Sequence, residues 1–544
     1  MFCKEYVLPV KILQSKHVEK QENLLSKHTD MAAFTCEKPC CIKPGGWFLL
    51  DFGREYNGGI RLIAQDMMGK KNAKVRIRFG ESAMECMAEI GQKNATNDHS
   101  IRDEVLQLPW VGILEYGHTG FRFVRIDNLD DVTISLMQVE AVYEHSGKKI
   151  IGKFSCSDDR LNKIWEVGVR TIYLNNNDLI TDGIKRDRLV WIGDMHPESS
   201  AVLRLFGYDK SICNSLDYIK NITPPTEWMN GIASYTMWWI KILYDLYRYT
   251  GDKDYLKNQI PYLTKCIRTL GSVIKPDGSC EIDFKFIDWP SGDDPIAKDC
   301  GIYAMMSIAL KSAMEIFKLF DEVESAQYCL ERLKVLRNFS PDHHGNKQMG
   351  ALLAFAEEAD VKEINETLLS QQPLKGVSTF LCYYVLLMRA KAGDMVRTLE
   401  LIRNYYGAML DLGATTFWED FNYDWVDGAQ PLDIILKAGE YDVHGDNGLC
   451  CYIGYRHSLC HGWSAGVVPF LSECVLGVKI LSGDPLVIEI APDLGDLEWA
   501  EGVVPTIAGE IYVYLRKNTS GVAVKYSVPE GTKVSLGAGC VLDK

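Results

Sequence analysis

Apolar residues recur at helical spacing over more than half of the chain, and this pattern constrains the fold most strongly. Between positions 157 and 476 they follow i, i+3, i+4 and i+7, the period of an amphipathic helix. Such helices must bury their apolar faces against one another. The predicted helices cover 198–207, 211–220, 233–250, 254–274, 301–319, 323–337, 347–358, 361–370, 377–392, 395–409 and 465–476, after a first one that begins near Ser157.

The connections between these helices alternate in length. Short ones, such as TGDKD at 250–254, alternate with long ones that are rich in Trp, Asp and Gly. Helical hairpins with all their long loops on one side predict a closed α/α toroid, in which those loops form a cleft. An open α-solenoid is the alternative, but no repeat at a fixed period is present, and solenoids usually have one.

β-rich stretches flank the helical region on both sides. Short apolar segments separated by Gly, Asn and Asp predict an antiparallel β domain over 46–145, with a long loop at 80–104. Alternation with Pro and Gly turns predicts a smaller β domain after Leu481. Residues 1–45 have no clear pattern. We therefore expect three domains, 1–150, 151–480 and 481–544.

Composition narrows the class of protein and of ligand. The chain has 544 residues, 47% of them hydrophobic, and a net charge of −14, which disfavours nucleic acid and suits a neutral ligand such as a sugar. The 17 cysteines, without a CxxC pair, indicate reduced thiols. No signal peptide and no membrane span are predicted. We expect a cytoplasmic protein, or a periplasmic one if an upstream leader was removed, and a homodimer is compatible with the sequence.

The segment 181–194 concentrates charge around one aromatic ring. Its apolar residues follow neither a helical nor a strand period, which predicts a structured loop. Cations in such a loop can hold carboxylates ionised, and mixed charges can separate carboxylate pKa values, as acid–base chemistry requires. A salt-bridged surface loop is the alternative interpretation. The charged residues and the ring are Asp182, Lys185, Arg186, Asp187, Arg188, Asp194 and Trp191.

Trp and carboxylate residues recur together in four further loops. Trp rings can stack on the C–H faces of a sugar while carboxylates accept hydrogen bonds from its hydroxyls, although a single Trp is more often a core residue. His457 and His461 lie four residues apart, but no HExxH pattern accompanies them, so we predict hydrogen-bonding roles, no metal site and no cofactor. The candidate site residues in these loops are Trp228, Asp288, Trp289, Trp418, Glu419, His461 and Trp463.

Several segments resemble one known family in the same order along the chain. DGIKRDRLVWIGD resembles the signature of the bacterial α-L-rhamnosidases of glycoside hydrolase family 78, which reads Asp-x-x-x-Arg-Asp-Glu-Arg-x-Gly-Trp-x-Gly-Asp. The resemblance implies a multidomain protein with a central all-α (α/α)6 barrel flanked by N-terminal and C-terminal antiparallel β-sandwich domains. It also implies hydrolysis of terminal α-L-rhamnose from small rhamnosides with inversion. Further similar segments are LLDFGREYNGGIRL, GKFSCSDDRLNKIW, GATTFWEDF, SLCHGWSAG and APDLGDLEWAEGVVPTIAGEI.

The resemblance also implies roles for single residues. Glu419 matches the general base of the family. The first motif is one residue short here and lacks the Glu that acts as general acid, so Asp187 is the predicted acid and Glu198 the alternative. A catalytically silent or retuned carbohydrate-binding relative, or another (α/α)6-barrel glycosidase, is the second interpretation. Residues that match sugar-holding positions or are predicted for the pocket wall are Asp182, Arg186, Asp194, Trp191, Trp289, Trp418 and His461.

Overall fold

A computed structural model describes residues 3–27, 39–65, 72–289, 292–450, 452–519 and 521–542. Within these ranges the strands form sheets of seven, three and five strands. The strands are β1 (Cys3–Val7), β2 (Lys11–Glu19), β3 (Cys40–Ala64), β4 (Asn72–Gly80), β5 (Asp103–Pro109), β6 (Gly112–Asn128), β7 (Ile134–His145), β8 (Lys153–Cys156), β9 (Val478–Ser482), β10 (Val487–Ile490), β11 (Trp499–Thr506), β12 (Gly509–Asn518), β13 (Gly521–Ser527), β14 (Lys533–Leu536) and β15 (Cys540–Leu542).

The first seven strands form one sheet with the long strand β3 at its centre. Their order is β1-β7-β3-β6-β4-β5, and β2 pairs with another part of β3. Neighbours are antiparallel, as predicted, except that β3 and β7 run parallel. Residues 1–45, which the sequence pattern left unassigned, contribute β1, β2 and the start of β3. The sandwich arrangement of this region stays a prediction.

A short helix interrupts the segment that was predicted as a long loop at 80–104. Helix α1 (Ala83–Met87) begins after Ser82, whose hydroxyl accepts a hydrogen bond from the Glu85 N–H at 3.2 Å. The first turn carries buried polar residues, so no apolar period marks it in the sequence. This segment lies against the helical region, because the Ala83 N–H donates to the Leu432 carbonyl at 2.9 Å.

The helical region agrees closely with the sequence pattern. The predicted helix at 233–250 has the bounds expected, and most others agree within a few residues. The helices are α2 (Asp159–Asn175), α3 (Met195–Phe206), α4 (Lys210–Ile222), α5 (Ala233–Thr250), α6 (Lys253–Ser272), α7 (Pro295–Leu319), α8 (Val323–Leu336), α9 (Lys347–Phe355), α10 (Val361–Ile364), α11 (Cys382–Lys391), α12 (Met395–Asp411) and α13 (Val467–Phe470).

Helix α7 begins at Pro295, earlier than the predicted start at residue 301. The Asp294 carboxylate accepts from the N–H groups of Ile296 and Ala297, each at 3.0 Å, and proline suits the first helical position. This helix is long and apolar enough to cross a membrane by composition alone. However, 83% of its most apolar 18-residue window is buried inside the fold, as in a core helix.

The helices share one apolar core with the C-terminal sheets, and the run of helices returns to its start. Helix α2 packs against both α12 and α13, so the first helix of the run contacts later ones. Strand β8, just before α2, pairs antiparallel with β11, with Lys153 opposite Val503. The cysteines in the described part of the chain are free thiols. The (α/α)6 barrel and the domain limits at 150 and 480 stay predictions.

Candidate active site

The predicted charged loop at 181–194 is folded against a second loop, at 457–463. Gly183 and His461 form an antiparallel bridge, and the Gly462 N–H donates to the Asp182 carbonyl at 2.7 Å. The Asp182 carboxylate in turn accepts from the Leu189 N–H at 2.9 Å, which closes the loop on itself. This loop is largely buried rather than a salt-bridged surface loop.

Arg186 connects this loop to Glu419 from a distant loop. Its Nη2 donates to both carboxylate oxygens of Glu419, at 2.7 and 2.8 Å, and both side chains are buried. Its Nε donates to the Arg456 carbonyl at 3.0 Å, and the guanidinium lies 4.5 Å from the ring centroid of Tyr452. A buried, charge-assisted pair of this kind fixes both side chains in one geometry.

Asp187 lies on the other side of the same guanidinium. Its Oδ2 is 3.2 Å from Arg186 Nη1, and its Oδ1 is 2.8 Å from His99 Nδ1, which comes from the segment between α1 and β5. Asp187 and Arg188 have φ values of 53° and 54°, in the left-handed region that such residues rarely adopt. Two consecutive residues in this backbone conformation turn the chain sharply at Asp187. Backbone strain of this type is concentrated at functional sites.

Glu419 has further partners besides Arg186. The Ser458 N–H donates to its Oε2 at 3.2 Å, and His461 Nε2 lies 3.4 Å from its Oε1. Burial raises the pKa of Glu419, and the Arg186 cation acts against that rise. Burial and the same cation lower the pKa of His461 well below its usual range. At neutral pH the site therefore holds a neutral imidazole beside a carboxyl group whose ionised form the arginine favours.

Three more carboxyl groups are buried beside this pair. Burial raises the pKa of Asp182 and of Asp194 well above the usual range, and the nearby Asp194 raises that of Asp182 further. The Tyr235 hydroxyl donates to Asp194 at 2.9 Å. Glu198, in the first turn of α3, is also buried with a raised pKa, and its Oε1 has no hydrogen-bond partner among the described residues. A raised pKa favours the protonated form of a carboxyl group, which can both donate to and accept from hydroxyl groups.

Asp288 and its neighbour Trp289 lie on the third predicted loop. Burial raises the pKa of Asp288 to about 7, although the Ser378 hydroxyl and the Trp289 N–H both donate to its carboxyl group. The Trp289 ring packs edge-on to Tyr452 with centroids 5.2 Å apart. Tyr452 in turn contacts Arg186, so Trp289 lies near the buried pair of Arg186 and Glu419.

The predicted tryptophans divide into two groups by exposure. Trp191, Trp228 and Trp289 are half-buried, whereas Trp418 and Trp463 are only 1% and 2% exposed and lie in the core. The Trp463 Nε1–H donates to the Glu419 carbonyl at 2.8 Å, so this residue holds the Glu419 backbone. The half-buried rings are the ones with a face available to a ligand.

Trp228 is placed beside the charged loop by its own loop. Asn230, two residues later, donates from its side chain to the Val190 carbonyl at 3.0 Å and accepts from the Ile192 N–H at 3.1 Å. Both partners belong to the segment 181–194. The loop that carries Trp228 is therefore hydrogen-bonded along the loop that carries Asp187.

The sequence reasoning missed a buried charged cluster behind the site. The Lys185 ammonium lies 3.3 Å from Glu81 and 3.1 Å from Glu85, both on the segment that was predicted as a loop. Together with His444 these two glutamates present ligand atoms within 4.8 Å of one another, the spacing of a metal site. Lys185 already supplies the positive charge there, and it also donates to the carbonyls of Tyr455 and His457 at 2.6 and 2.8 Å.

One family model matches the first part of the helical region. Residues 149–349 match the family model described as the bacterial alpha-L-rhamnosidase 6 hairpin glycosidase domain. This match includes the loop at 181–194 but ends before Glu419. A search of the curated proteins finds no match.

Solved structures extend the likeness to almost the whole chain. The family 78 rhamnosidase of Bacillus sp. GL1 matches with a TM-score of 0.75 at 20% identity, over 96% of this chain and 56% of that one. The α-L-rhamnosidase of Dictyoglumus thermophilum gives 0.69 at 18%, over 98% and 58%. A Klebsiella oxytoca rhamnosidase with rhamnose bound gives 0.67 at 17%, over 87% and 96%. The chain thus spans just over half the length of the first two, and at these identities the likeness shows a shared fold.

Proposed function

The chain is a relative of the glycoside hydrolase family 78 rhamnosidases, and on that premise we propose that it releases terminal α-L-rhamnose from small rhamnosides. One observation carries the proposal. A single buried arginine, Arg186, contacts two acids, Asp187 and Glu419, that come from loops more than two hundred positions apart in the chain. Hydrolysis of a glycosidic bond requires such a pair of carboxyl groups.

We propose that the reaction inverts the anomeric carbon, and the contacts of this pair set an upper limit on the distance between its two acids. Asp187 and Glu419 contact different nitrogens of one guanidinium, at 3.2 and 2.7 Å. The nearest oxygens of the two acids are therefore separated by at most the width of the guanidinium group plus these two contact distances. This distance is below the upper limit of about 9.5 Å for inverting enzymes, in which a water molecule fits between the base and the sugar.

In the proposed reaction each carboxyl group has one task. Asp187 donates its proton to the glycosidic oxygen as the bond from that oxygen to C1 breaks. A water molecule attacks C1 from the opposite face, and Glu419 takes the proton that the water loses. Arg186 favours the ionised form of Glu419, which a base requires.

The other residues of the site would hold the sugar. The carboxyl groups of Asp182 and Asp194, whose pKa values burial raises, and the neutral ring of His461 can hydrogen-bond hydroxyl groups. The half-buried rings of Trp191 and Trp289 can pack against its apolar face. The rhamnose bound to the Klebsiella oxytoca neighbour supports a small carbohydrate as ligand. We also propose that the helices form an (α/α)6 barrel flanked by β-sandwiches.

A second candidate function follows from the environment of Asp187. The loop that carries Asp187 lacks the glutamate of the family signature, and the Asp187 carboxyl group already contacts Arg186 and His99. Glu198 is the alternative acid, because it is buried with a raised pKa and an oxygen without a partner among the described residues. If neither acid serves, the chain would bind sugar without cleaving it.

Product analysis on a panel of p-nitrophenyl glycosides tests the proposal. We expect release from the α-L-rhamnoside above all others, with β-L-rhamnose as the first product seen by NMR. Glu419→Gln should lower kcat by about 10²–10⁴, because the general base is lost. Asp424→Asn, an exposed carboxylate in the same loop, is the matched control and should keep wild-type activity. Rhamnose binding without turnover of any glycoside would support the second candidate.

A further inference from the structure

Glu81 contacts the backbone that supports Glu419, the proposed general base. It directly follows strand β4 and is only 1% exposed. Its Oε2 accepts a hydrogen bond from the Leu459 N–H at 2.6 Å, and its Oε1 lies 3.4 Å from the Ser458 hydroxyl. The first of these contacts is short for an N–H···O hydrogen bond. Glu81 therefore fixes the backbone at Ser458 and Leu459.

The same backbone contacts Glu419 twice. The Ser458 N–H donates to the Glu419 carboxylate at 3.2 Å, and the Ser458 carbonyl accepts from the Glu419 N–H at 3.0 Å. The His461 N–H donates to the Phe417 carbonyl at 2.9 Å, so the segments 417–419 and 458–461 lie side by side. A displacement of Ser458 is therefore passed on to both the backbone and the side chain of Glu419.

The Lys185 ammonium explains why a carboxylate is buried here, but it does not explain this arrangement. Lys185 lies 3.3 Å from Glu81 and 3.1 Å from Glu85, so Glu85 also supplies a counter-charge. The Glu85 carboxylate accepts from the Glu81 N–H at 2.8 Å. Of these two glutamates, Glu81 alone hydrogen-bonds to the segment 458–461 within the part of the chain that the structure describes.

The Ser458 N–H also acts on the charge of Glu419. Burial raises the pKa of Glu419, and the Arg186 cation and the Ser458 N–H act against that rise. A general base must be ionised to accept a proton, so this hydrogen bond favours the form that the reaction requires. The titratable side chains that interact with Glu419 are Arg186, Asp182, Asp187, Asp194 and His461, and those that interact with Glu81 are Lys185, Glu85, Glu55 and Cys460.

We propose that Glu81 is a positioning residue for Glu419, because it holds Ser458 and Leu459 where the Ser458 N–H keeps the Glu419 carboxylate in one position. This inference rests on the proposed function, in which Glu419 takes a proton from the attacking water. Glu81 acts through the backbone and needs no contact with the sugar. The N-terminal sheet region would thus supply a residue on which the chemistry of the helical region depends.

The length of the side chain at position 81 tests this role. Glu81→Asp keeps the charge beside Lys185 but withdraws the carboxylate by about 1.5 Å, the length of one carbon–carbon bond. On p-nitrophenyl α-L-rhamnoside, kcat should fall about tenfold, because a displaced base acts less well, while KM stays nearly unchanged. The ascending limb of the pH profile of kcat/KM should move about half a unit to higher pH, because the ionised form of Glu419 loses part of a hydrogen bond.

Two further variants separate the position of Glu81 from its charge. Glu81→Gln keeps the length and an oxygen that can accept from the Leu459 N–H, so it should stay closer to the wild type than Glu81→Asp does. Glu85→Asp withdraws the other carboxylate from Lys185 and leaves the Leu459 contact in place, so this matched control should keep the wild-type pH profile. An unmoved limb in Glu81→Asp, or an equal shift in Glu85→Asp, would overturn the proposal.

Urea unfolding separates this inference from the proposed function, because it needs no turnover. In Glu419→Gln the Ser458 N–H faces a neutral amide, so displacing Ser458 costs less. The unfolding free energy lost in Glu81→Asp/Glu419→Gln should therefore be smaller than the sum of the two single losses. If this holds but no rhamnoside is hydrolysed, the hydrolase proposal fails and the positioning contact stands. Additive losses would overturn the positioning contact even if rhamnosides are hydrolysed.

Discussion

Arg186 donates hydrogen bonds to both carboxylate oxygens of Glu419, at 2.7 and 2.8 Å, and neither side chain is open to solvent. This contact joins the loop after α2 to the loop after α12. The proposed general base therefore depends on a cation from a loop far away in the sequence. Breaking a buried pair from one side leaves the other charge uncompensated, so the effect of removing Arg186 can be predicted.

Arg186→Met should lower the free energy of unfolding by about 3–5 kcal/mol, because Glu419 would be left buried without its cation. The double variant Arg186→Met/Glu419→Gln should recover most of that loss, because no charge remains to be desolvated. Thermal and urea unfolding of the wild type, both single variants and the double variant measure the coupling. Additive losses in the double variant would show that the pair does not hold the two loops together.

Lys185→Met should destabilise the contact between the α1 segment and the candidate active site. The substitution leaves Glu81 and Glu85 buried without their shared cation, at a cost of about 3–5 kcal/mol. Adding Glu85→Gln in the same background should restore part of the lost stability, which differential scanning calorimetry would measure. Equal melting temperatures for Lys185→Met and wild type would mean that the cluster contributes no net stability.

Gly462→Ala should disturb Glu198. A β-carbon at position 462 would lie 1.9 Å from Glu198 Oε1, much closer than van der Waals contact. Overpacking of this kind costs about 1–3 kcal/mol. Glu198→Ala in the same background removes the clashing carboxyl, so the double variant should be more stable than Gly462→Ala alone. A Gly462→Ala protein with wild-type stability and activity would contradict this account of the packing.

The buried carboxyl of Asp288 should make stability depend on pH. Its pKa rises to about 7 in the folded chain, while an unfolded aspartate titrates near about 3.9. Between about pH 4 and 7 the folded state therefore keeps a proton that the unfolded state releases. Stability should fall as pH rises through this window, by at most about 1.4 kcal/mol per pH unit from this group.

Asp288→Asn removes that titration while keeping a similar shape. The melting temperature of the variant minus that of the wild type should increase steadily from pH 4 to pH 7. Asp293→Asn changes an exposed carboxylate in the same loop and serves as the control, for which the difference should stay constant. A difference for Asp288→Asn that stays constant or decreases with pH would contradict the raised pKa.

The helices could be predicted from the sequence because a helix buries a periodic face. Helix α5 has the predicted bounds, since its apolar period ends at Thr250 and Gly251 follows in the left-handed conformation that ends many helices. The two proposed catalytic acids could also be predicted from the sequence. The segments around them are dense in charged residues and tryptophan, and these segments resemble motifs of a known family.

The contacts between segments could not be predicted in this way. Glu81 and Glu85 follow no apolar period, and only tertiary contact with Lys185 explains their burial. His99 lies in a polar segment, and nothing local shows that it reaches Asp187. The sequence predicts that Trp418 forms part of the pocket wall, but its ring packs edge-on to Phe421 inside the core. The fold determines which side chains from distant segments come into contact. The periodicity of apolar residues along the sequence does not predict these contacts.

The kinetics of Asp187→Asn on two α-L-rhamnosides with different leaving groups test the central claim most directly. A general acid matters most when the leaving group is a poor one. The variant should therefore lose about 10²–10⁴ in kcat/KM on the methyl rhamnoside and much less on the p-nitrophenyl rhamnoside. Wild-type activity of Asp187→Asn on the methyl rhamnoside would contradict Asp187 as the acid that works opposite Glu419.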